Sequence, residues 1–96
     1  MPRIVVVTGA GAGVGRVVVE EFARQGYDVG LLSRDKDRLE RAAADIRSRY
    51  GVRAVSVSTD VAHAEAVEFA ASAIEENLGP IDVWVNVAMA TVFAPV

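Results

Sequence analysis

The segment Thr8-Gly9-Ala10-Gly11-Ala12-Gly13-Val14-Gly15 contains no side chain larger than valine. It follows the apolar run Ile4 to Val7 directly and opens an apolar-periodic stretch from Val14 to Phe22. Such a segment suits anion binding. Without bulky side chains, backbone N–H groups can approach a pyrophosphate, and the N-terminus of a following helix adds roughly half a positive charge. The glycine spacing narrows the possibilities. The pattern G-x-G-x-x-G fails, because its third glycine falls on Val14 when counted from Gly9 and on Arg16 when counted from Gly11. The P-loop pattern fails too, because no Gly-Lys-Ser/Thr follows. What remains is T-G-x-x-x-G-x-G, with Thr8, Gly9, Gly13 and Gly15 in register and Gly11, Ala12 and Val14 between them.

Ser33-Arg34 lies eighteen residues beyond Gly15, close to where a dinucleotide-binding fold meets the adenosine ribose. An acidic residue there accepts the ribose 2′-OH and repels a 2′-phosphate; Ser33 is not acidic. Arg34 offers a planar guanidinium suited to bidentate phosphate binding, and Arg16, just past the last glycine, could reach the same group. This pattern favours NADP(H), with NAD(H) possible. The alternative is that both arginines are solvated charges in a chain with nine of them, and Asp35 and Asp37 nearby weigh slightly against the phosphate reading.

These residues need elements to position them. Strand-like runs at Arg3 to Val7, Asp28 to Ser33, Ala54 to Ser58 and Ile81 to Val87 alternate with helix-like runs at Gly13 to Gln25, Lys36 to Tyr50 and Ala64 to Leu78. Leu39, Ala42, Ala43, Ile46 and Tyr50 repeat the offsets of Val67, Ala70, Ala71, Ile74 and Leu78, so the second and third helices are each one-sided. Gly26, Gly51 and Gly79 stand where left-handed C-terminal caps belong, and Asp35 stands at an N-cap. Strands alternating with helices of this length imply right-handed crossovers and a parallel sheet covered on both faces, an α/β architecture of the form βαβαβαβ. The expected strand order is 3-2-1-4. Its winding reverses between the first and fourth strands, where ligands bind beyond the strand C-termini.

Composition bounds the rest. A chain of 96 residues is one small unit, 1–96, with no linker or low-complexity tract. A net charge of -3 argues against a nucleic-acid partner. Cysteine is absent, so disulfides and thiolate chemistry are excluded, and His63 as the single histidine weighs against a zinc site. The apolar run before Thr8 is too short for a secretory h-region, and Val83 to Val96, interrupted by Asn86, Thr91 and Pro95, falls below the ~18 residues of a membrane span. The expectation is a soluble, cytoplasmic protein with no membrane association.

The glycine pattern, together with Asp60-Val61 after the third strand and Ile81-Asp82-Val83-Trp84-Val85-Asn86-Val87-Ala88-Met89, resembles the short-chain dehydrogenase/reductase family. The resemblance implies a Rossmann-type three-layer αβα fold and a role in binding the cofactor of a carbonyl/alcohol oxidoreductase. It implies that Asp60 accepts from the adenine amine while Val61 packs beside the ring. For Asp60 the competing role is to cap the turn before the third helix, and both can coexist. Asn86 and Ala88 fall on positions of the family's D-x-L-V-N-N-A-G segment, whereas Val87 replaces its second asparagine and Met89 its glycine. Trp84 is read as core packing, and His63 as a solvated turn residue.

The family's catalytic tyrosine is followed four residues later by a lysine. Here Tyr27 is followed by Leu31 and Tyr50 by Ala54, while Lys36, the only lysine, follows Leu32. No catalytic residue is therefore assigned, and the chain reads as a truncated, cofactor-binding portion. A fourth strand with an open outer edge leads to a further expectation, self-association or pairing with a missing C-terminal segment. The competing function is a non-catalytic nucleotide-binding or interaction module that docks through that edge.

Overall fold

Ile4 to Val7 offers water no polar side chain, and the computed structural model places it in a strand with every residue buried, β1 (Ile4–Thr8). The structure describes residues 2–87 and 91–93. After β1 come α1 (Gly13–Arg24), β2 (Asp28–Ser33), α2 (Lys36–Tyr50), β3 (Ala54–Ser58), α3 (Ala64–Leu78), β4 (Val83–Asn86) and β5 (Thr91–Phe93). Among the described residues the sheet order is β3-β2-β1-β4-β5. The first four strands are parallel, with Thr8 level with Leu32 on one side and with Asn86 on the other. The expected order 3-2-1-4 and the boundaries of α2, α3, β2 and β3 hold.

Side chains alternate across the sheet, as strand geometry requires. Val5, Val7, Val29 and Leu31 pack with Val19 of α1 and with Leu39 and Ile46 of α2, while Ile4, Val6 and Leu32 pack with Ala70, Ile74 and Leu78 of α3. The two amphipathic stripes face the core as their spacing predicts, with Tyr50, Val67 and Ala71 half-buried at the margin. Asp35 Oδ1 accepts from the Arg38 N–H at 3.1 Å and caps α2, and Gly51 closes that helix at φ 68°. Gly79 also has positive φ, but its ψ of -174° is extended, so the left-handed cap expected there is not formed.

At the strand N-terminal pole, polar groups lock the elements together. Asp82 accepts from the Ile4 N–H at 2.8 Å and its own N–H donates back to Ile4 O, fixing β4 beside β1. Asp28, 3% exposed, accepts from Arg53 N and Nε, both at 2.9 Å. The same guanidinium donates to Leu78 O at 3.1 Å, satisfying a carbonyl at the end of α3.

One expectation is corrected. The outer edge of β4 is not open: β5 pairs with it antiparallel, with Trp84 opposite Phe93 and Asn86 opposite Thr91. Three residues are too short a run to announce a strand inside an apolar tail, and the neighbouring backbone supplies what the local pattern does not. The reading of β4 as a bare docking edge loses its basis.

Candidate nucleotide-binding site

The turn after β1 uses its glycines in three different ways. Gly9 and Gly13 have φ of 67° and 59°, a region that side chains disfavour by about 1–2 kcal/mol per residue. Gly15 is in an ordinary helical position, but a Cβ there would lie 1.8 Å from Gly9 O. The first turn of α1 therefore rests on the backbone of the loop, and only glycine allows that approach. Gly11 is under neither constraint; a Cβ on it would sit 3.5 Å from Ser33 Oγ and from Cγ and Cδ of Arg38.

The end of α1 that meets this loop lacks a cap. Ala12 stands at its N-cap without a side-chain hydrogen bond, and the first turn holds no acid, whereas α2 has both Asp35 and Asp37. The first intrahelical bond runs from Arg16 N to Ala12 O at 3.4 Å, which leaves the N–H groups of Gly13, Val14 and Gly15 without intrahelical acceptors. The space above Gly13 is open, because a Cβ there would meet no atom within 4 Å. Free donors, the helix dipole and open space together suit a pyrophosphate.

Around this turn the fold gathers several of the residues singled out in the sequence. Thr8 is buried and its hydroxyl donates to Asn86 Oδ1 at 2.8 Å, across the point where the sheet winding reverses. Thr8, Val61, Trp84 and Asn86 line a cleft of about 400 Å³ with Val67 and Glu68 of α3. Asp60 Oδ1 accepts from Ala62 N at 3.0 Å, so its turn-capping role is present. His63 is exposed and lies 3.6 Å from Asp60. Val87 packs against the core on the α1 and α2 side. Ala88 and Met89 lie outside the described residues.

The two arginines differ. Arg16 pairs with Asp45 on α2 and, at 3.4 Å, with Glu20 on α1. Arg34 is exposed at the end of β2; its carbonyl accepts from Ser58 Oγ, and among the described residues its guanidinium makes no ion pair. Ser33 Oγ accepts from Asp35 N at 3.3 Å and retains its own proton for donation. Sequence reasoning missed Arg38, which stands in the first turn of α2 against Gly11. The available signals were a glycine that the T-G-x-x-x-G-x-G pattern does not require and a second arginine four residues after Arg34.

The sequence model described as short chain dehydrogenase matches residues 3–96. This chain belongs to the short-chain dehydrogenase family. Over 86 residues it is 34% identical to a short chain dehydrogenase of Pseudocercospora fijiensis, a match covering 90% of this chain and 28% of that protein. Its fold matches L-sorbose reductase of Gluconobacter frateurii, solved with NADPH and L-sorbose, with a TM-score of 0.83 and 32% identity over 86% of this chain and 32% of the other. It also matches an NAD+-bound xylitol dehydrogenase, with a TM-score of 0.81 and 33% identity over 85% of this chain and 31% of the other. The chain thus spans about a third of the length of these family members.

Proposed function

We propose that residues 1–96 form a single NADP(H)-binding unit of a short-chain dehydrogenase/reductase, holding the dinucleotide with which a carbonyl and an alcohol are interconverted. The observation that carries this reading is the uncapped N-terminus of α1, seated against Gly9 through Gly15 beneath open space at Gly13. The backbone from Gly9 through Gly11, Ala12, Gly13, Val14 and Gly15 takes the pyrophosphate. Ser33 and Arg34 take the adenosine 2′-phosphate, with Arg34 preferred over Arg16 because Arg16 is already held by Asp45 and Glu20. Asp60 and Val61 flank the adenine, and Thr8 and Asn86 border the crevice on the nicotinamide side; Ala88, which lies outside the described residues, is assigned to the cofactor by its motif position alone. When bound, the nicotinamide supplies or accepts the hydride.

NAD(H) is the second cofactor, weaker because it lacks the phosphate that Arg34 would meet. Relatives solved with NADPH and with NAD+ support a dinucleotide without deciding between the two. Among the described residues no helix is long and apolar enough to cross a membrane. The cytoplasm is the setting proposed for this unit. Association with a second copy or with a further segment would use the outer edge of β5. Calorimetric titration with NADPH and NADH tests the reading. Binding of both, with NADPH tighter, is expected, and Gly13→Val should abolish both; a folded protein that binds neither overturns it.

A further inference from the structure

We infer that the outer face of α3, anchored on Phe69, is a docking surface for a basic amphipathic helix of a partner protein. Phe69 stands in the middle of α3 and is 73% exposed, whereas Phe22, Tyr27, Tyr50 and Trp84 are each half-buried. A phenyl ring left in water forgoes its burial energy, and aromatic side chains are enriched where partner proteins bury them. Helical spacing puts Ala66 and Ala73, both half-buried, on the same side, three residues before Phe69 and four after. Such small neighbours leave the ring standing above the helix surface, where another helix can pack around it. This side is turned away from the cleft, which Ala64, Val67 and Glu68 line with Trp84 and Asn86. The surface is therefore separate from the nucleotide site.

Charge identifies the occupant. The helix carries Glu65, Glu68, Glu75 and Glu76, all exposed, and no lysine or arginine. The chain holds thirteen acidic and ten basic residues, so this one helix more than accounts for its net charge of -3. On α1 and α2, Glu20, Glu21 and Asp45 are each matched by an arginine. Among the described residues none of the four α3 glutamates is in an ion pair. Pairing two α3 helices across a two-fold axis would set the glutamates of one against those of the other, which argues against a second copy. An added strand beside β3 is disfavoured too, because Arg47 Nη1 already donates to Ala54 O on that edge at 2.7 Å. A basic helix with one apolar stripe meets both demands: its apolar residues pack on Phe69, Ala66 and Ala73, and its flanking cations face the glutamates.

The test is fluorescence anisotropy of labelled peptides titrated with the chain. The probe has leucines at helical spacing and lysines elsewhere; one analogue has glutamate for lysine and another serine for leucine. The leucine-lysine peptide should bind, more weakly as salt is raised, and both analogues should bind far less. Phe69→Ser should weaken the complex about tenfold or more. Glu65→Gln combined with Glu76→Gln should weaken it and flatten its salt dependence, while Glu40→Gln, an exposed acid on α2, should leave it within about a factor of two. These positions are exposed, so the variants should unfold in urea as the unmodified chain does. Equal binding by Phe69→Ser or of the serine analogue overturns the inference, as does no binding of the leucine-lysine peptide by a chain that unfolds cooperatively. Sedimentation adds a second check: Phe69→Ser should self-associate as the unmodified chain does, and a loss of self-association would place a second copy on this face and overturn the inference as well. NADPH titration of Phe69→Ser should match that of the unmodified chain, so failure of this surface leaves the cofactor reading intact.

Discussion

A Cβ on Gly15 would lie 1.8 Å from the carbonyl oxygen of Gly9, so the helix that opens the candidate site touches the loop backbone with nothing between them. Adding one methyl group must push α1 off the sheet. Gly15→Ala is expected to destabilise the chain by about 3 kcal/mol or more, beyond the usual overpacking cost. Gly13→Ala, strained in backbone but sterically free, should cost about 1–2 kcal/mol. Urea unfolding of the two variants checks the order, and equal costs would contradict the close approach.

Cofactor choice should follow Arg34. A charge-assisted hydrogen bond contributes about 1.5–3 kcal/mol, which predicts that NADPH binds about 10- to 150-fold more tightly than NADH, with solvent exposure favouring the lower end. Arg34→Asp should lower NADPH affinity and leave NADH unchanged or improved. Titration of both nucleotides on the variant decides; retained NADPH preference would remove Arg34 from the site.

The Asp28–Arg53 pair should matter for stability and not for nucleotide binding, since it lies at the opposite pole. Arg53→Ala leaves a buried carboxylate with only one backbone donor from residue 53 and frees the Leu78 carbonyl. Breaking a fully buried pair costs about 3–5 kcal/mol; with Arg53 half exposed, a loss of about 2–3 kcal/mol is expected. Thermal unfolding with and without NADPH separates the two effects, and the ligand-induced increment should match that of the parent chain.

The chain on its own should show no dehydrogenase or reductase activity, because it contains no Tyr-x-x-x-Lys. Assays with NADPH and a panel of carbonyls should stay at background. Turnover that survives repurification from a host lacking its own reductases would refute this.

Association should run through β5. It has a partner on one side, β4, and a second copy could pair with the other. Sedimentation at tens of micromolar protein should show self-association, and a proline at Val92 should alter it. A stable monomer with cooperative unfolding would count against this edge.

Much of this arrangement was legible in the sequence because period and punctuation agreed. The offsets of Leu39, Ala42, Ala43 and Ile46, with Asp35 before them and Gly51 after, define α2 from local signals alone. The register of Gly9, Gly13 and Gly15 could be read for the same reason, since each glycine answers a backbone demand. What escaped depends on contacts distant in sequence. Gly30 looks like a flaw in β2 until Ile74 of α3 is seen to fill its place, 2.6 Å from where a Cβ would stand. Arg16 and Arg34 look equivalent until Asp45, 29 residues away from Arg16, claims one of them. Arg38 gains interest only once α2 brings it over Gly11.

Trp84 is the only tryptophan in the chain, and it sits half-buried on β4, packed toward α3 and lining the cleft beside Asn86. Its indole emission is therefore a built-in optical gauge. Unfolding would expose the ring to water and shift its emission to the red. A reduced nicotinamide brought nearby absorbs in the band where indole emits, so its arrival would be registered as quenching by energy transfer, without a label or a substitution.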